Sequence, residues 1–161
     1  MPKRKKQKKP VEKTLEKSKI DNLAEKNNDL RENGLPERIK QAVRGLFYVS
    51  ETDAEILPFI GSQAETVSVD LLLSQIGNTA NAPVAEENFA GFFARLTEIQ
   101  DWFGDEEKET AKKFVSLKDL LEKNLRDLKI FKIGKIQLDI YVVGLDAENN
   151  FLGFQTRAVE T

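Results

Sequence analysis

The hydrophobic period of this chain changes from about 3.6 residues to about 2 near residue 126, and that switch constrains the fold more than any other feature. Upstream, apolar residues recur on helical faces. Ile39, Val43, Leu46 and Phe47 fall on one side of a helix that Pro36 opens, since proline suits the first helical turn, and that should stop near Ser50. Ser68 is placed as the N-cap of a second helix running to Ile76, with Gly77 as its stop. Phe89, Phe92, Phe93 and Leu96 mark a third helix, whose aromatic stripe is packing material rather than a stacking platform for bases. Asp105-Glu106-Glu107 puts carboxylates where a helix N-terminus favours them. The fourth helix then continues to Leu125 or Arg126, with Phe114, Leu117, Leu121 and Leu125 as its buried stripe.

Downstream the pattern is that of strands. Ile130–Ile133 is one; Ile136, Leu138, Ile140 and Val142 alternate with polar or amphipathic neighbours; and Asp146–Asn150 turns the chain into Phe151–Val159. These segments predict an antiparallel meander in the C-terminal third. Between the helices, Glu51–Glu55 is expected to be an acidic loop, and Ile56–Ile60, interrupted by Pro58 and ended by Gly61, a short edge strand. Residues 78–83 and 100–104 are expected as loops. Helices first and strands last imply an α+β domain with about four helices packed on a mainly antiparallel sheet.

Charge divides the chain further. Residues 1–32 carry eleven Lys or Arg against six Asp or Glu, a net of +5, whereas the rest carry fourteen against twenty-one, a net of −7. Lys3, Arg4, Lys5, Lys6, Lys8 and Lys9 form a like-charged block that cannot pack, so residues 1–34 are expected as a disordered basic tail and residues 35–161 as the folded domain. Such a tail offers a solvated extension or a contact for nucleic acid.

Catalysis is poorly provided for. The 161 residues include no Cys and no His, which removes thiolate nucleophiles, disulfides, the usual zinc sites and imidazole bases. Gly-rich phosphate loops, GxSxG and DxD are missing too. A non-enzyme without cofactors is expected. Apolar runs such as Ile140–Val143 fall far short of the roughly 20 residues that a membrane span needs, and no apolar stretch follows the N-terminal lysines as a secretory signal requires, so cytoplasmic residence is expected.

Three polar features remain: Glu51 at the expected helix exit, Asp101-Trp102 in a loop between helices, and Glu160-Thr161 where the last strand gives out. An exposed Trp beside an Asp has the composition of an interface anchor, the ring filling a pocket and the carboxylate meeting a cation. Equally, Trp102 fits as a lid on the core with Asp101 capping the next helix.

The stretch Gln100-Asp101-Trp102-Phe103-Gly104-Asp105-Glu106-Glu107, Asn124-Leu125, Leu138-Asp139-Ile140-Tyr141-Val142-Val143-Gly144, the terminal Val159-Glu160-Thr161 and the earlier Gly45-Leu46-Phe47-Tyr48-Val49-Ser50-Glu51 resemble, in order and spacing, the nuclease A inhibitor family of cyanobacteria. The resemblance runs from about residue 36 to Thr161. It implies an α-β-α sandwich that inhibits a metal-dependent, sugar-nonspecific DNA/RNA endonuclease in a 1:1 complex. It also implies that Glu51, Asp101, Trp102 and Thr161 meet the nuclease, Thr161 reaching the partner's catalytic Mg without a metal of the inhibitor's own; Glu160, beside Thr161, is expected to share that contact. The basic tail has no counterpart in that pattern, and the stretch Thr52–Val67 departs from it. Two other readings stay open: an accessory protein that holds nucleic acid through the tail, and a diverged family member that binds another basic protein.

Overall fold

The computed structural model describes residues 34–77 and 82–161, so the basic tail, Lys3, Arg4, Lys5, Lys6, Lys8 and Lys9 included, and residues 78–81 of the expected loop lie outside the described residues. Packing is described for Arg38–Thr161. Helix α1 (Gly34–Val43) buries Ile39 and Val43 and ends earlier than its apolar spacing suggests. The reason is Gly45, whose φ of +78° takes the chain out of the helix. Phe47–Val49 then forms strand β1, aromatic and β-branched residues that suit a pleat better than a helix. Ser50–Thr52 turns the chain into β2 (Asp53–Glu55), so three of the five residues of the expected acidic loop are a strand and Glu51 sits at a hairpin tip, not a helix exit.

Strand β3 (Leu57–Gln63) is an edge strand, as Pro58 suggests, but it passes through Gly61 with a shift of register between Ile60 and Gln63. Helix α2 (Val69–Ile76) has the expected caps: the Ser68 hydroxyl accepts the Leu71 N–H at 3.2 Å, and Gly77 closes the helix at φ +69°. Strand β4 (Val84–Glu87) was not legible as a strand, because its apolar and charged residues do not alternate. Helices α3 (Phe89–Thr97) and α4 (Asp105–Asn124) follow, then the meander β5 (Arg126–Ile133), β6 (Gln137–Leu145) and β7 (Asn150–Val159).

The main sheet has the order β3-β7-β6-β5-β4 with every neighbouring pair antiparallel. On one face, α2 brings Leu72 against Phe59, Phe131, Tyr141, Val143 and Phe151. On the other, Phe93 of α3 meets Phe154 of β7 edge-on, with centroids 6.1 Å apart, and α4 packs along α3. Helices therefore cover both faces, and the α+β architecture with four helices among the described residues stands as expected. Tyr48 of β1 stacks flat on Phe92 at 5.6 Å, which fixes the small hairpin beside α3. The buried Thr156 hydroxyl donates to the Glu55 carbonyl at 3.0 Å and fastens the hairpin to β7.

Candidate functional site

Strand β7 delivers the chain to the hairpin tip. The Val159 N–H donates to the Ser50 hydroxyl at 3.0 Å, and the Glu51 N–H donates to the Val159 carbonyl at 3.3 Å. One residue on, the Glu160 N–H donates to the Ile136 carbonyl at 2.9 Å. The strand's end is thus tied on both sides before the last residue is reached.

Thr161 is then held by Glu51. One carboxylate oxygen, Oε2, accepts both the Thr161 backbone N–H at 2.8 Å and the Thr161 hydroxyl at 2.6 Å. The hydroxyl bond, and then the backbone bond, hold the Glu51 carboxyl below the usual carboxylate range, although the side chain is exposed. Charge-assisted bonds to an ionised acceptor are the stronger kind, so an otherwise loose residue acquires a fixed position.

Glu160 is held from another direction. Its Oε2 lies 3.4 Å from Lys132 Nζ, which is 2.8 Å from Glu87 Oε1, whose Oε2 in turn meets Arg95 at 2.5 Å. The Arg95 guanidinium lies 5.9 Å over the Phe92 ring. Burial alone would push the Glu87 carboxyl up, but its bonds to Lys132 and Arg95 outweigh this and hold it down. Burial likewise works against the charge on Lys132, and the bond to Glu87 overcomes it and raises the ammonium's pKa. The Arg95 guanidinium is raised first of all by Glu87.

Of the five residues singled out in the sequence, the structure brings Glu51, Glu160 and Thr161 together. Asp101 and Trp102 lie on the loop between α3 and α4 and share no hydrogen bond or ion pair with them among the described residues. Trp102 is not a lid on the core: it is 73% exposed, resting edge-on against Phe103 with centroids 4.7 Å apart. Asp101 does not cap α4 either, since Glu107 reaches back to the Gly104 N–H at 2.8 Å and performs that task. Ser50, Lys132, Glu87 and Arg95 escaped sequence reasoning. Ser50, Lys132 and Glu87 meet partners far along the chain, and Arg95 reaches Glu87 across the break between a strand and a helix, so no local period marks them.

Chemically, the cluster is a set of exposed oxygens: two carboxylates and a hydroxyl fixed on a rigid sheet end. Among the described residues no group of three or more acidic side chains is arranged to hold a metal. No helix among them is long and apolar enough to cross a membrane. A family model described as nuclease A inhibitor-like protein matches residues 33–161. No curated protein matches the chain.

Proposed function

The chain belongs to the nuclease A inhibitor-like family, and from that premise we propose that it is an acidic plug for a metal-dependent, sugar-nonspecific endonuclease, bound 1:1. Such an enzyme must present a cationic groove for phosphates and a Mg²⁺ with exchangeable waters. The carboxylate and hydroxyl of Thr161 take the place of the scissile phosphate, bound to the partner's Mg²⁺ directly or through a metal-bound water, since magnesium favours oxygen donors and keeps part of its hydration shell. The plug contains no phosphodiester bond and is not cleaved. Glu160 and Glu51 add negative charge that faces the groove's Lys and Arg, while Trp102 supplies apolar burial beside Asp101.

The observation that carries this reading is the double hydrogen bond from Thr161 to Glu51 Oε2, at 2.8 and 2.6 Å. A residue that had to be ordered at the moment of binding would lose affinity to that ordering, and a residue held in advance does not. Glu51 therefore positions the plug as well as adding charge to it. Electrostatic complementarity speeds association, so inhibition weakens as salt rises.

The test titrates the protein into a magnesium-dependent nonspecific endonuclease from the same host and follows DNA cleavage. Stoichiometric loss of cleavage, abolished by removing Glu160 and Thr161 and retained on removing residues 1–32, supports the plug. No inhibition by the intact chain refutes it. Loss of function on removing residues 1–32 instead would favour an accessory protein that works through its basic tail.

A further inference from the structure

The β1–β2 hairpin has one face in the core and one face bare. Tyr48 points inward and stacks on Phe92, while Phe47 and Val49 on either side of it are 46% and 69% exposed. In the antiparallel register Phe47 lies opposite Glu55 and Val49 opposite Asp53, so these four residues share the outward face, two apolar and two acidic. From Gly45 to Ala94 the chain contains seven Asp or Glu and no Lys or Arg.

A two-stranded sheet is marginal by itself. This one is secured by Thr156 at the Glu55 carbonyl and by the Ile56 N–H donating to the Leu46 carbonyl at 3.0 Å. Its tip is also the element that holds the last strand, through Ser50 and Val159, and Thr161, through Glu51. A bare apolar and anionic face is thus fixed rigidly to the same turn that positions the plug.

We propose that the outward face of the hairpin, Phe47, Val49, Asp53 and Glu55, is a second contact zone for the nuclease, docking on the rim of the cationic cleft that Thr161 enters. This rests on the plug reading. The partner surface it fits is a patch with an apolar ledge flanked by Lys or Arg. Asp53 and Glu55 meet the cations and steer the approach, and Phe47 and Val49 exclude water from the ledge and slow dissociation.

Two double variants of the full chain test it: Phe47→Ser with Val49→Ser, and Asp53→Asn with Glu55→Gln. Rates of association and dissociation with the endonuclease are measured at two salt concentrations, alongside thermal unfolding and sedimentation of the free chain. The apolar pair is expected to raise Kd about tenfold or more through faster dissociation. The acidic pair is expected to slow association several-fold and to flatten its salt dependence. Should the apolar pair fail to fold, the acidic pair still decides. Wild-type Kd and rates in the acidic pair, with inhibition still lost on removing Glu160 and Thr161, would overturn the second zone and leave the plug standing. A change in self-association with no change in inhibition would assign the face to a second copy of the chain and overturn the proposal as well. If the intact chain does not inhibit, both readings fall together.

Discussion

Replacing Trp102 with Ala separates the interface role proposed for this loop from a packing role. The indole is 73% exposed. Taking about 250 Å² for a Trp side chain, roughly 70 Å² is already covered in the free protein and roughly 180 Å² is open to a partner. At about 25 cal/mol per Å² the covered part contributes at most about 1.7 kcal/mol to stability, and the open part at most about 4.5 kcal/mol to binding. Only part of an interface's area converts into affinity, so a loss of about 2 kcal/mol, near thirtyfold in Kd, is the working expectation. In a chain of this size the stability term lowers Tm by no more than about 7 °C. The assay pairs thermal unfolding of the free protein with titration of nuclease inhibition. A fall in Tm well beyond that limit with inhibition unchanged would refute the reasoning, because it would mean that the ring packs rather than binds.

Glu51→Ala is expected to weaken inhibition while the fold survives, since the carboxylate is exposed; a raised Kd at an unchanged Tm checks this. Glu51 also sets a pH window. Its carboxyl is held down in the folded state by Thr161, so its contribution is fully present above the ordinary Glu value of about 4.3 and is lost as pH falls through the lower folded value. The Thr161 amide signal in NMR should therefore stay constant from neutral pH down to about 5 and move only in more acid solution. Lys132→Met leaves the partly buried Glu87 paired with Arg95 alone and releases the Glu160 side chain, and is expected to cost about 1–2 kcal/mol in denaturant unfolding, with Lys132→Arg recovering part of it.

Where the chain obeys one period over many residues, its elements were legible. Ser68 and Gly77 bracket α2, the phenylalanines mark α3, the stripe from Phe114 to Leu121 marks α4, alternation marks β6, and the turn at Asp146–Asn150 announces β7. Short elements were not. Leu46 and Phe47 continue the helical spacing of Ile39 and Val43 by coincidence, and a single glycine at positive φ overrides it. Strand β4, with Glu86 and Glu87 in succession, pairs with β5 along one side only and has no pattern to read. The family motif singled out Glu51 and Thr161 as separate contacts. That one holds the other was illegible, because they stand 110 positions apart and meet only once β7 lies beside β3. Lys132 and Glu87 were hidden for the same reason, as a surface lysine and a strand glutamate look ordinary until their side chains converge.

The order of the main sheet has a consequence for biosynthesis. β7 lies between β3 and β6, yet it leaves the ribosome after both. Until it inserts, β3 has no partner in the sheet, and the small hairpin lacks Thr156 and Val159 to fasten it. The nascent chain therefore passes through a stage in which α4 and the β5–β6 hairpin can form locally while its N-terminal strands wait for closure across roughly ninety residues of sequence, the slow kind of contact in folding. A chain interrupted before Asn150 keeps the helices, three strands of the main sheet and the Tyr48–Phe92 stack, but lacks the bonds by which Thr156 and Val159 fasten the hairpin. The cluster of Glu51, Glu160 and Thr161 is assembled only in a late step, as β7 slots home.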